Sequence, residues 1–329
     1  MNPFISIVIP NHNNAETIGL CLDAVYASTY TAFEVIVVDD YSIDDSVAII
    51  NRYPCRLLCL TEHGGASKAR NTGAENSRGE VIFFIDADCL LQPDTLATAV
   101  AAYQEEGPAV VIGGTYTWQP YDRDFFSRFQ SIYIHYSETK DAADPDYLAT
   151  HAMLISAEQY RKSGGFDEKI LPILEDVEFS HRLKRLGVSL RMKPDIQVRH
   201  IFNFSFLRSM RNGIKKSKYW SLYSIRNKDL LADSGTASQA FKFNVLSCFI
   251  TALLLLLTIL LQHWFLFVPI GLLFSINFYL NRNLIRAFYR VSGPIFALSA
   301  LLYYAFVYPF AVGIGVSSGI FSQHLGLRS

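Results

Sequence analysis

Two long stretches without charge limit what this chain can fold into. Between Lys242 and Arg282 lie 39 residues with no Asp, Glu, Lys or Arg, and between Arg290 and Arg328 lie another 37. A helix that crosses a bilayer needs about 20 apolar residues. Each stretch is therefore too long for an ordinary core helix, and residues 241–329 are expected to form an all-α membrane domain. The first tract divides at "QHW" into spans over 243–261 and 264–280. The second starts near Pro294, and its Pro309, Gly313, Gly315 and Gly319 could kink one long helix or break it into a hairpin. Three spans are expected, with four as the alternative.

Residues 201–240 differ in kind. "FNFSFLRSMRNGIKKSKYWSLYSIRNKD" sets aromatics among Arg208, Arg211, Lys215, Lys216, Lys218, Arg226 and Lys228. Phe206, Leu207, Met210 and Ile214 recur at helical spacing. This is the pattern of a basic amphipathic helix in the headgroup layer of an anionic leaflet; the alternative is a basic helix lying on a soluble domain. Arg282, Arg286 and Arg290 follow two spans later, and the intervening turn carries no Lys or Arg. The positive-inside rule then puts the N-terminal domain in the cytoplasm of a multi-pass protein of the cell (inner) membrane. The opening "MNPFISIVIPNHNN" has no basic n-region followed by an apolar h-region, so no signal peptide is expected. With 29 basic and 30 acidic residues the net charge is −1, which offers no field for nucleic acid. Five cysteines without a C-x-x-C spacing suit a reducing compartment. No feature speaks to oligomeric state.

Residues 1–200 alternate between two periods. "FISIVI" (4–9), "EVIVV" (34–38), "RLLCL" (56–60), "VIFFI" (81–85) and "AVVIGG" (109–114) are short apolar runs, and helical patterns cover 15–28, 44–52, 66–78 and 93–106. Continuous apolar strands separated by helices predict an α/β domain with a mainly parallel sheet covered on both faces. Ligands of such sheets bind beyond the carboxyl ends of the strands. "DD" (39–40) follows the second strand and "DAD" (86–88) the fourth, so both acidic clusters fall on that edge. In extended backbone, Asp86 and Asp88 would point to one face, and two converging anions need a cation. The alternative is an acidic turn, with Asp94 after Pro93 suiting the first turn of the next helix.

Four ordered blocks carry a family resemblance: "SIVIPNHNNAETIGLCLDAV", "FEVIVVDDYSIDDS", "GGASKARNTGAENSRGEVIFFIDADCLLQPDTL" and "GGFDEKILPILEDVEFSHRLKRLG". Over residues 4–200 the chain resembles the family-two glycosyltransferases. The resemblance implies a Rossmann-like nucleotide-sugar-binding (GT-A) fold, a UDP- or GDP-linked sugar donor, a divalent metal (Mn2+ or Mg2+) and inverting transfer to an acceptor. It places Pro10 and Asn13 in the loop that wraps the nucleotide, and gives Asp39 or Asp40 to the nucleobase or ribose. It sets Arg70 and Asn71 close to the diphosphate. Gly64 and Gly65 lead into a helix N-terminus, which by itself suits an anion. Asp88 is the expected metal ligand, Asp86 contacts the ribose or assists the metal, and His200 after "QVR" is a further candidate ligand or a packing residue. Of Glu175 and Asp176, the aspartate is the expected general base. His12, His63, His151 and His181 show no pattern that assigns a partner.

One departure bears on product. Processive members carry Gln-x-x-Arg-Trp after the base, and "FLRSMRNGIKKSKYW" lacks it, so a single transfer is expected. The acceptor is expected to be a lipid or lipid-linked molecule held at the membrane, in cell-envelope glycan or glycolipid synthesis. The competing readings are a non-catalytic nucleotide-binding membrane scaffold and a nucleotidyltransferase; the latter would want a Gly-rich basic loop where "PNHNNAET" stands.

Overall fold

The computed structural model describes residues 2–169, 172–229 and 232–324. The chain divides into two compact units, Met1–Arg123 with Glu138–Asn203, and Asp124–Ser137 with Phe204–Ser329.

The first unit runs β1 (Ile5–Asn11), α1 (Ile18–Tyr26), β2 (Phe33–Asp39), α2 (Ser46–Ile50), β3 (Arg56–Cys59), α3 (Gly65–Glu75), β4 (Val81–Phe84), β5 (Cys89–Leu91), α4 (Thr95–Glu106) and β6 (Val110–Tyr116). A helix α5 (Phe125–Thr139) follows, then β7 (Met153–Ser156), α6 (Ala157–Ser163), α7 (Glu175–Arg185) and β8 (Ser189–His200). The sheet order is β3-β2-β1-β4-β7-β6-β8-β5. The side carrying β3, β2, β1 and β4 is parallel throughout. The other side is mixed, with β6 parallel to β8 while β7 and β5 pair antiparallel. Every side chain of "ISIVI" in β1 is buried, as both faces of a sheet covered by helices require. Val8, Ile82, Phe84, Met153, Phe166 and Phe179 share one core cluster. That packing fixes the strand ends from which the acidic loops leave.

Two short strands, β5 and β7, escaped the sequence pattern, and they change how "DAD" is built. The fourth strand stops at Phe84, and the Cys89 N–H donates to the Asp86 carbonyl at 3.0 Å. The motif is therefore a turn into β5, and alternation along a strand does not explain why its acids converge. Asp94 sits at the N-cap of α4 without a side-chain cap bond.

The second unit is helical: the greater part of α5, then α8 (Phe206–Asn227), α9 (Gln239–Leu261), α10 (Phe267–Leu280), α11 (Arg282–Leu302) and α12 (Tyr308–His324). Two of its helical stretches, Gln239–Leu261 with 23 residues and Arg282–Gln323 with 42, are long and apolar enough to cross a membrane, and Trp264–Leu280 is a shorter apolar helix. The longer one bends at Gly293, whose φ of 81° is open to glycine, immediately before Pro294. From there the helix continues through a π-helical turn at Tyr303–Val307 to α12.

The glycines of α12 do not make a hairpin. A Cβ on Gly315 would collide with the Ile214 carbonyl and Ser217 Oγ, and one on Gly319 with the Lys218 carbonyl and Ser221 Oγ. These residues let α12 approach α8 closely, which is the use small residues serve between apolar helices. The buried residues of α8 are accordingly mostly small, Ser209, Gly213, Ser221 and Ser224 beside Leu222 and Tyr223, while Phe206 and Leu207 stay exposed. A polar chain runs inside the same unit: buried Asn244 donates to the Tyr304 carbonyl (2.8 Å), Asn277 donates to Asn244 (2.7 Å), and Tyr304 Oη donates to Asn281 (2.9 Å).

Replacing Gly315 with Ala forces this seam apart. It is expected to cost ~1–3 kcal/mol and to lower the thermal midpoint in detergent, while Gly271→Ala inside α10, where nothing lies within 4 Å of the added methyl, leaves it unchanged or raises it.

Candidate active site

α3 is where the site begins. Its first residue, Gly65, has φ +83°, and the Gly64 and Gly65 N–H groups donate to the two carboxylate oxygens of Asp40 at 2.6 and 2.8 Å. The helix start that the sequence offers to a ligand anion is thus filled by the protein's own carboxylate. Asp39 is equally committed, accepting from Asn11 Nδ2 (2.7 Å), Ser42 Oγ (2.6 Å) and the Ser42 N–H (2.9 Å). Asn13, at φ 52°, accepts from the Ile43 N–H at 2.8 Å and so ties the loop after β1 to the loop after β2.

A cavity of about 240 Å3 opens at this edge. Pro10, Asp40, Arg70, Asp86 and Asp88 line it, with His12 and His63 among its other wall residues. Asn13, Asp39 and Asn71 do not, and each braces a neighbouring segment. Asn71 accepts from Tyr160 Oη (2.6 Å) and the Phe166 N–H (2.9 Å), and donates to Glu168 (2.8 Å). Its expected place beside a diphosphate is therefore replaced by a place behind the wall.

Arg70 is buried and forks between two acids, 2.7 Å from Asp86 Oδ1 and 2.7 Å from Glu175 Oε1. Burial pushes the Asp86 carboxyl up, and Arg70 together with His151 and His200 more than reverses that, leaving it below the usual range. Asp88 goes the other way: burial raises its carboxyl, His200 offsets part of this, and the neighbouring Asp86 adds to the rise.

The antiparallel register Cys89↔His200 brings His200 Nε2 to 3.6 Å from Asp88 Oδ2. Asp88, Cys89 and His200 have ligand atoms within 4.8 Å of one another. Burial raises the Cys89 thiol, and a thiolate is a soft donor, so the donors that suit a hard divalent cation are the carboxylate and the imidazole. That pair, with an excess of negative charge unmatched in place, fits a divalent cation of the manganese type. Asp86 is outside this group of three. Arg70 holds its Oδ1, which fits the ribose-side role better than the ligand role.

α7 opens with Glu175 and Asp176 directly after Leu174, whose φ of 80° is strained for a branched residue. Glu175 goes to Arg70. Among the described residues Asp176 keeps only a bond from the Val177 N–H, 2.8 Å, and burial with the adjacent Glu175 pushes its carboxyl up to about 7, Arg70 opposing. A carboxylate poised there accepts a proton at neutral pH.

Three histidines carry more than the sequence suggested. His12 and His63 stack at 4.3 Å, with His12 Nδ1 at 2.7 Å from the Asp40 carbonyl and His63 Nδ1 at 2.9 Å from its carboxylate. His151 is buried against the Tyr116 ring (4.0 Å), 3.4 Å from Glu138, which Thr115 also holds at 2.7 Å. Burial lowers the His151 imidazole, and Glu138 with Asp86 and Asp176 more than restores it, so it sits above the usual histidine value. The legible signal for His12 and His63 was position, since each lies in a loop on the ligand edge. His151 depends on the pairing of Phe84 with Met153, which no local pattern announces.

Residues 6–157 match the family described as Glycosyl transferase family 2. Glycosyltransferase GlyG of Streptococcus pneumoniae is 31% identical over 131 residues, 38% of this chain and 44% of that protein. Glycosyltransferase AglE of Haloferax volcanii is 28% identical over 201 residues, 59% of this chain and 66% of that protein. The match thus spans between 44% and 66% of the length of these two curated relatives. Among solved structures, the mannosyltransferase PcManGT from Pyrobaculum calidifontis in complex with GDP-Man and Mn2+ is similar with a TM-score of 0.59 at 17% identity, over 100% of this chain and 89% of that one. At that identity the likeness is one of fold, and it makes the first unit GT-A-like.

Cutting the fork should be costly. Arg70→Ala leaves two half-buried acids facing each other and is expected to lose about 3 kcal/mol in chemical unfolding. Asp176 gives a pH signature. Its folded carboxyl, at about 7 against an ordinary 3.8, binds a proton more tightly than the unfolded chain does, so stability falls as pH rises through that window. Asp176→Asn removes this fall and should unfold later than the parent at pH 8, with the difference gone below pH 4.

Proposed function

We propose, on the premise that the chain carries a glycosyltransferase family 2 domain over residues 6–157, that the protein is a membrane-bound, metal-dependent, inverting glycosyltransferase. It makes a single transfer from a nucleotide sugar to a membrane-held, lipid-linked acceptor in cell-envelope glycan or glycolipid synthesis. The observation that carries this reading is the Asp86–Arg70–Glu175 fork, which ties the turn bearing Asp88 to the helix bearing the poised Asp176.

The residues divide the work as follows. Pro10, His12, Asp40 and His63 form the wall for the nucleoside, and Asp86 faces the ribose. Asp88 and His200 would hold a divalent cation, which when bound would supply positive charge to the departing diphosphate. Arg70 is spent on its two acids and acts by positioning them. Asp176 takes the proton from the acceptor hydroxyl as that oxygen bonds to the anomeric carbon. The bond from that carbon to the phosphate oxygen breaks, and its electron pair leaves with the nucleoside diphosphate. Attack on the face opposite the leaving group inverts the configuration.

The membrane placement draws support from the apolar helices at 239–261 and 282–323 and from α8, whose Phe206 and Leu207 are exposed beside Arg208 and Arg211. With the cations of 208–228 and 282–290 on one side, the catalytic unit is cytoplasmic in the inner membrane. GDP-Man and Mn2+ in the similar Pyrobaculum enzyme make manganese the first cation to try.

Asp176→Asn should lower transfer by about 10²- to 10⁴-fold, and Asp88→Asn should abolish the manganese response. Both are read as nucleoside diphosphate release from membranes supplied with candidate donors. Full activity in both variants, or in EDTA, overturns the reading.

A further inference from the structure

The helical unit contains a second, larger cavity of about 930 Å3, within the roughly 300–1,000 Å3 of small-molecule sites. Its walls are Phe241, Val245 and Phe249 of α9, Phe310 and Ile314 of α12, and Trp220 of α8. Besides several Ser and Thr hydroxyls, two cations and one amide break this apolar lining. Lys216 on α8 and Lys242 on α9 bring two positive charges, and no Asp or Glu stands among the described lining residues. Gln130 on α5 also lines it, is 3% exposed, and its Oε1 has no hydrogen-bond partner among the described residues. A buried amide left so costs ~1–3 kcal/mol, a cost that a bound partner with a donor group removes.

We propose that this cavity binds a single long hydrocarbon chain ending in a phosphate. The apolar walls take the chain, Lys216 and Lys242 pair with the phosphate oxygens, and a protonated phosphate oxygen or a carried water donates to Gln130. The lysines suit a phosphate as compact point charges. A chain that moves from lipid into the cavity gains little from the hydrophobic effect, because it leaves hydrocarbon and not water. Discrimination therefore has to come from the charged end, and an uncharged analogue of the same chain should bind poorly. This deepens the proposed reading by giving the lipid carrier of the acceptor a place, and it rests on that reading only for what the lipid is used for.

The test needs neither donor nor metal. Of the three tryptophans, Trp118 and Trp264 are replaced by Phe in the full chain, which leaves Trp220 as reporter in phosphatidylcholine nanodiscs. Farnesyl phosphate should change its emission saturably. Lys216→Ala/Lys242→Ala should weaken that binding at least tenfold, with an unchanged thermal midpoint showing that the variant folds. Ser317→Phe, which fills the cavity, should abolish it. Farnesol should bind at least tenfold more weakly than farnesyl phosphate. The proposal is overturned if no saturable change occurs, if farnesol or inorganic phosphate binds as tightly, or if the double lysine variant binds like the parent. Loss of transfer in Asp176→Asn with lipid binding intact supports both readings. Lipid binding intact with transfer unaffected sinks the catalytic reading alone.

Discussion

A single guanidinium holds the chemistry together. Arg70 reaches Asp86, sixteen residues on, and Glu175, one hundred and five residues on, and it does so from a helix whose first amides are occupied by Asp40. Desolvating three charged groups is unfavourable unless the pairing is close, and at 2.7 Å on each arm it is. The turn after β4 and the start of α7 therefore cannot drift independently. What the arrangement leaves over is informative: Asp88 and Asp176 are the acids that Arg70 does not directly neutralise, and both titrate above their ordinary values.

Much of this was legible in residue order, and the failures have a common cause. The strands of the parallel side, the helices between them and the acidic pairs on the ligand edge follow from local periodicity, which the chain obeys closely. Asp88 beside His200 does not, because it depends on a three-residue strand, Cys89–Leu91, pairing with a segment more than a hundred residues away. Asn71 looked like a ligand residue because it adjoins Arg70. On a helix, however, neighbours point about 100° apart, and Asn71 faces the Tyr160–Phe166 side. Asp40 was read as open to a nucleotide because sequence cannot show that two backbone amides have already claimed its oxygens.

The helical unit repeats the lesson with opposite sign. Gly313, Gly315 and Gly319 read as breakers when taken one at a time, since glycine weakens an isolated helix. Gly315 and Gly319 become the positions that permit a close approach to α8, Gly313 lies against Phe249 of α9, and the bend falls instead at Gly293, next to Pro294. The amphipathic reading of α8 named Phe206 and Leu207, which are exposed, and Met210 and Ile214, which are half-buried, but was silent on the small residues that pack against α12.

The self-filled helix start at Gly64 and Gly65 has a wider consequence for how product would leave. Many phosphate-binding folds hold the anion with backbone amides, so their ligand stays whether or not a cation does. Here Asp40 has taken those amides, and Arg70 is committed to two acids. On the proposed reading, the diphosphate would have to share its charge chiefly with a cation that Asp88 and His200 would hold. Release of product would then depend on the two side chains that hold an ion, and not on the backbone amides of the fold.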